Sequence, residues 1–245
     1  MTPRARAAIE SSDTVAGYAA YIRLIRPIIG DRRVISTGMK AETERAREAV
    51  RLASLGARVA LVSSGDAGVY GMAGLTLEII KERGWDGSFE FEVIPGVPAV
   101  CSAAASLGAP LMHDFAAISL SDLLTPRELI IKRLEAASGA DFVIALYNPR
   151  SRGRPDNLGE ARRIILGHRP GDTPVGIVKD SRRDGEKVII TTLADMDVEA
   201  VDMTTMVIVG NSRSFRFLDY IVTPRGYNIA GPPPTPFTKG GKPRK

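Results

Sequence analysis

A chain of 245 residues, 44% hydrophobic and 25% charged, can bury the core of one large domain or two small ones, and it has no run of about 18 apolar residues that would span a bilayer. One cysteine and two histidines exclude a disulfide framework within the chain and argue against a His/Cys metal cluster. The net charge of +5 falls to +1 without Lys239, Lys242, Arg244 and Lys245, so the basicity belongs to a Pro/Gly-rich tail over 231–245 that reads as disordered, and no nucleic-acid partner is expected.

The chain opens on a helix, with Thr2 as N-cap and Pro3 in the first helical position. The basic N-terminus has no apolar segment behind it, so no secretory signal is read and a cytoplasmic location is expected. A helix over 42–55 carries Ala46, Ala49, Val50 and Ala53 at helical spacing, and Gly56 stops it. The apolar run 58–64 predicts a buried parallel strand, which feeds a glycine-rich turn over 63–74 that opens a second helix. Residues 91–95 predict a strand ending at Pro95-Gly96, and 98–107 a small-residue helix with Gly108 past its end. Cys101 lies in that helix and reads as a small buried hydrophobe rather than a nucleophile.

After a boundary placed in 108–114, strands are predicted over 116–120 and 142–147, and helices over 126–137 and 156–166. Later strands are predicted over 175–179, 187–192 and 205–209, the first two joined at Asp184-Gly185 as a hairpin. The alternation defines an α/β fold, with a mostly parallel first domain over 1–110 and a mixed-sheet second domain over 111–230.

Three turns come directly after strands: Ser63 to Gly74, the Pro95-Gly96 turn, and Tyr147-Asn148-Pro149-Arg150. Ligands of open α/β sheets sit at the carboxyl ends of strands, so three such turns suggest one pocket rim. In the first, Gly65 and Gly68 allow close backbone approach and Asp66 could accept from an amino or hydroxyl group. A plain strand-to-helix turn with Asp66 as N-cap explains the same residues, and on glycine content alone the two readings balance. The turn lacks the Gly-Lys-Ser/Thr ending of a phosphate loop and the Gly-x-Gly-x-x-Gly of a dinucleotide site, so a Rossmann-type oxidoreductase is a distant alternative. His113-Asp114 and residues 119–126 lie at the domain boundary, and helix capping is the simplest role for Ser121 and Asp122.

Residues 64–73, 94–97, 113–115, 118–126, 145–151 and 222–227 together resemble the tetrapyrrole methylase family, over a stretch from Thr2 to about Tyr227. Within it, Ser119-Leu-Ser-Asp-Leu-Leu-Thr-Pro126 and Leu146-Tyr-Asn-Pro-Arg-Ser151 point to the branch that methylates a corrin precursor at C17 with ring contraction in cobalamin biosynthesis. The resemblance implies two α/β domains, S-adenosylmethionine bound in the cleft between them, a tetrapyrrole substrate and a homodimer. It places Ser64, Gly65, Asp66 and Val69 against the methionine part of the cofactor. Pro98 and Ala99 fall where a Thr/Ser-Ala pair contacts it, and Asn148 and the Ser181 turn where the second domain holds the adenosine. The family's usual Gly-Asp-Pro reads Gly-Asp-Ala67 here, with some loss of rigidity.

For the polycarboxylated substrate, Ser121, Tyr147, Arg150 and Arg152 are the binding candidates, while Arg154 is read as solvated surface. His113, Asp122 and Asp66 are the acid–base candidates for ring contraction, His113 first because imidazole titrates near neutrality. No metal is expected. The family begins with a strand and a Gly-x-Gly-Pro-Gly-Asp loop, and residues 2–18 match the segment immediately after that loop. The family's first strand would be interior, so its loss predicts unpaired backbone and an apolar gap; either the true start lies upstream of Met1, the favoured reading, or the chain is truncated and impaired. A family member acting on another macrocycle position or on rRNA, or a non-catalytic relative, are the alternatives.

Overall fold

The computed structural model describes residues 1–84, 87–151 and 153–229, so the tail over 231–245 and Arg152 lie outside the described residues. The chain divides into two compact units. The first comprises 1–106, 178–188 and 204–206; the second comprises 107–177, 189–203 and the described residues from 207 onward. The turn that carries Ser181, read from sequence as part of the second domain, groups with the first unit.

In the first unit, α1 (Pro3–Ser11) starts as predicted, with Thr2 Oγ accepting from the Ala5 N–H at 3.2 Å. β1 (Thr14–Tyr18), α2 (Ala19–Leu24), α3 (Arg26–Ile29) and β2 (Arg33–Thr37) come next, none of them anticipated. α4 (Glu42–Ser54) has Glu42 and Glu44 in its first turn, where they favour the helix dipole, and buries Ala46, Ala49 and Val50. β3 (Val59–Val62) then joins a parallel sheet ordered β2-β1-β3, in which Thr14 pairs with both Arg33 and Val59. β1 is central, and its Gly17 is required by packing: a Cβ there would lie 2.5 Å from Val62 Cγ2. A five-residue strand interrupted by glycine carries little periodic signal, which is why it escaped notice.

Two expectations fail at the sheet's edge. β3 is half-buried throughout, not buried, because only β1 flanks it and its other edge carries no strand among the described residues. Residues 91–95 form no strand: without a ladder to join, they run as irregular chain held by side chains. Thr2 Oγ donates to the Pro95 carbonyl at 3.2 Å, and Arg4 pairs with Glu92.

α5 (Ala73–Glu82) and α6 (Ala99–Leu107) complete the unit's longer helices. Two apolar clusters fill it: Ile9, Val15, Ile22 and Ile29 on one side, Ala46, Val50, Met72, Ile79 and Ile80 on the other. On α6 the buried positions are Val100, Ala103, Ala104 and Leu107. Cys101 falls off that stripe and is exposed, contrary to expectation.

The second unit begins at β4 (Gly108–Ala109) and continues through β5 (Phe115–Ser119), α7 (Arg127–Gly139), β6 (Val143–Tyr147) and α8 (Asn157–Leu166). β7 (Pro174–Lys179), β8 (Lys187–Thr192) and β9 (Thr205–Val209) complete a sheet ordered β5-β6-β9-β7-β8. β5 and β6 are parallel and β6 and β9 antiparallel, so the expected mixed sheet is present. β6 and β9 are buried at every position, and Ile144, Leu146, Leu158, Ile165 and Leu193 anchor the core. β10 (Phe215–Phe217) and β11 (Tyr220–Val222) form a small sheet with β4. Among the described residues, no helix is long and apolar enough to cross a membrane.

Candidate active site

The Ser63–Met72 segment is built chiefly from backbone. Gly65 has φ +71°, a conformation that favours glycine. Its carbonyl lies so near Gly96 that a Cβ on Gly96 would sit 2.0 Å from Gly65 O. A Cβ on Gly65 would itself lie 3.4 Å from both the Ala99 nitrogen and the Val97 carbonyl. The two glycine turns therefore pack backbone on backbone.

Asp66 locks this arrangement. Its carboxylate accepts from the Gly96 N–H at 2.7 Å and from the Gly68 N–H at 2.8 Å. These bonds, Gly96's foremost, hold the carboxyl below its usual range. Asp66 is therefore an ionised clamp, with no proton to give at neutral pH. It is not the N-cap of α5 either. That helix starts at Ala73, whose N–H reaches back to the Ala67 carbonyl at 3.0 Å, while Met72 N–H donates to Ser63 Oγ at 3.0 Å.

Around the turn stand Ser181, expected from the resemblance, and side chains that sequence reasoning missed. Arg183 donates to Ser64 Oγ at 2.7 Å. Arg45 on α4, 3% exposed, donates to Thr37 Oγ and, at 3.7 Å, toward Met72 Sδ. Tyr21 packs edge-on against Tyr18, ring centroids 5.2 Å apart. Burial raises its phenol pKa, partly offset by the charge of Arg183. Ser181 shares a hydrogen bond with Ser102 on α6 at 2.8 Å, and Ser106 Oγ donates to Glu186 at 2.6 Å, which lowers that carboxyl. A tyrosine or arginine far from any glycine motif carries no short-range signal; only the topology gathers these residues.

In the second unit, parallel pairing sets Ser119 opposite Tyr147, so two strand ends open side by side. Ser119 Oγ accepts from Asn148 Nδ2 at 2.9 Å and from the Ser121 N–H at 3.3 Å. Asn148 has φ +49°, and Asn157 Nδ2 donates to the Leu120 carbonyl at 2.6 Å. Tyr147 is buried to 9% exposure. His113, half-exposed, accepts through Nδ1 from the Asp114 N–H at 2.9 Å.

Of the arginines, one departs from its reading, Arg154. Arg150 is occupied by the Pro155 and Glu199 carbonyls at 3.3 and 3.4 Å and by the Glu199 carboxylate. Arg154, read as solvated surface, keeps only 14% of its side chain exposed and places Nη1 3.8 Å from Asp122. Arg152 lies outside the described residues.

Parallel strands ending in a glycine-built turn, together with a mixed second sheet, make an α/β fold of the methylase type, and residues 1–197 match the Tetrapyrrole (Corrin/Porphyrin) Methylases. The chain belongs to that family. It is 53% identical over 229 residues to the cobalt-factor III methyltransferase of Priestia megaterium, covering 93% of this chain but 42% of that protein. It is 50% identical to the probable cobalt-factor III C(17)-methyltransferase of Salmonella typhimurium, over 94% of each chain. The crystal structure of the methyltransferase CobJ superposes with a TM-score of 0.87 at 35% identity, over 91% of this chain and 93% of that one. The chain thus spans less than half of the first relative and nearly all of the second.

Proposed function

We propose that this protein is an S-adenosylmethionine-dependent methyltransferase that methylates cobalt-factor III or precorrin-3B at C17 with ring contraction in cobalamin biosynthesis. The observation that carries the reading is the Asp66 clamp: it keeps Gly65 and the exposed Ala99 as a surface of small residues and backbone, which a flat, amino-acid-bearing cofactor fits. The names of the two relatives at 53% and 50% identity support the substrate.

When bound, S-adenosylmethionine supplies a methyl group on a positive sulfur, open to direct displacement by an electron-rich carbon. Ser64, Gly65 and Val69 would line the cofactor with Pro98 and Ala99, while Asp66 holds their geometry. The contribution of these residues is alignment and exclusion of water. Asn148, Ser121 and Tyr147 shape the second unit's strand-end loops, and Asn148 is held by Ser119. Ring contraction requires a proton to move at a hydroxyl group. Of the three acid–base candidates, Asp66 is committed to backbone and Asp122 faces Arg154, which leaves His113. With Nδ1 accepting from the Asp114 N–H, Nε2 is the ring nitrogen left for a substrate. The enzyme works as a homodimer, as the family resemblance implies, and its expected place is the cytoplasm.

Purified protein, labelled methyl donor, and a panel of cobalt-factor III, precorrin-3B, uroporphyrinogen III and ribosomal RNA test the reading. Label is expected on the first two only, with a contracted-ring product. Label on RNA alone, or on none, refutes it. His113→Ala should methylate but slow contraction; unchanged rates of both steps would remove His113 from the chemistry.

A further inference from the structure

Arg45 and Arg183 in the first unit have no carboxylate partner among the described residues. Arg45 is 3% exposed, and among the described residues its side chain donates only to neutral groups: the Thr37 hydroxyl, the Gly38 carbonyl at 3.5 Å and the Met72 thioether at 3.7 Å. Its Nε has no hydrogen-bond partner among the described residues. A guanidinium buried among neutral groups costs stability unless a negative charge comes to it. Arg183 is half-exposed and spends its Nη2 on Ser64 Oγ at 2.7 Å, leaving most of its five N–H donors unspent.

The Tyr21 phenol, within the field of both charges, belongs to the same strand end: its ring packs edge-on against Tyr18, the last residue of β1, whose Gly17 pairs with Val62 just before the turn. Glu42, also felt there, is turned to the Lys40 N–H at 3.3 Å. Both arginines are tied to the cofactor turn, Arg183 through Ser64 and Arg45 through Met72, whose N–H holds Ser63. The result is a patch rich in donors and positive charge beside a turn built of backbone.

We propose that Arg183 and Tyr21, with Arg45 buried behind them, form a carboxylate-reading subsite that takes one acetate or propionate side chain of the macrocycle and so sets which edge of it meets the methyl donor. Arg183 supplies the fork, Tyr21 one further O–H donor, and Arg45 charge without contact. The subsite rests on the proposed function and deepens it. A carboxylate could also come from the cofactor's own methionine part, and the test separates the two sources.

Arg183→Gln, Arg183→Lys and Tyr21→Phe are compared with the wild type by thermal melting, by titration with S-adenosylhomocysteine, and by steady-state methylation of cobalt-factor III. For Arg183→Gln, KM for cobalt-factor III is expected to rise roughly tenfold or more, with kcat and S-adenosylhomocysteine affinity each changed less than about threefold. Arg183→Lys should recover part of the loss by keeping the charge without the fork. Tyr21→Phe, which preserves shape and folding, should raise KM severalfold. Unchanged KM in Arg183→Gln and Tyr21→Phe overturns the subsite. A loss of S-adenosylhomocysteine affinity matching the loss in KM overturns it too, because the carboxylate is then the cofactor's. A wild type that neither binds S-adenosylhomocysteine nor transfers methyl refutes the function itself, and the subsite with it.

Discussion

The Ser64–Asp66 turn of the first unit and the Ser119–Asp122 loop of the second both lie at the end of a parallel strand, yet they are held in different ways. The first is closed backbone against backbone, with one ionised carboxylate gathering the Gly68 and Gly96 N–H groups. The second is tied by neutral side chains: Asn148 to Ser119, and Asn157 to the Leu120 carbonyl. The sheets behind them differ too. β3 and β5 are both edge strands, β3 half-buried throughout and β5 fully buried only at Ile118, but β5 lies against β6, which is buried at every position. A turn closed by one charged side chain depends on that group, while a loop tied by several neutral hydrogen bonds divides its hold among them. The first should therefore be sensitive to single atoms and to pH, and the second tolerant.

The largest expected effect is at Gly96. Gly96→Ala puts a Cβ 2.0 Å from the Gly65 carbonyl, so the two turns must separate. Destabilisation of about 2–3 kcal/mol is expected by urea unfolding, with loss of S-adenosylhomocysteine binding. Asp66→Asn comes next. It keeps the shape but removes the charge from two N–H donors, for about 1.5–3 kcal/mol. Asp66 and Glu186 both have folded pKa values below the carboxylate norm. The stability they add is complete above the ordinary carboxylate range and is lost as pH falls through their lowered folded values. Thermal melts taken from neutral pH into acid should thus fall less steeply for Asp66→Asn than for the wild type.

Ser119→Ala in the second unit removes one neutral acceptor and should cost only about 1 kcal/mol. A loss equal to that of Asp66→Asn would erase the contrast between the two turns. The smallest effect belongs to Arg150→Ala. Its ion pair with Glu199, whose side chain is 70% exposed, contributes at most about 1 kcal/mol. KM for cobalt-factor III should not change, whereas a clear rise would return Arg150 to the substrate.

The same contrast explains what the sequence disclosed. Long periodic segments such as α4 and the apolar strand β6 are legible because burial and period coincide. β1 is not, since Gly17 breaks its pattern for the sake of Val62, and residues 91–95 look like a strand without one beside them to pair with. At the site, the glycine turn and Asp66 were legible as a motif, but the choice between helix cap and turn clamp depended on Gly96, thirty residues away. Arg154 was misread because exposure is not written in a charge. Arg45, Tyr21 and Arg183 come from three elements and meet only through the fold.

The central claim, that the Gly65 turn and Ala99 form the cofactor surface, is tested most directly by calorimetric titration of S-adenosylhomocysteine into the wild type and Ala99→Leu. Ala99 is exposed, so a larger side chain there should leave the melting temperature unchanged. The account predicts one site per chain in the wild type and at least tenfold weaker binding in Ala99→Leu. Equal affinity in the two proteins would contradict it.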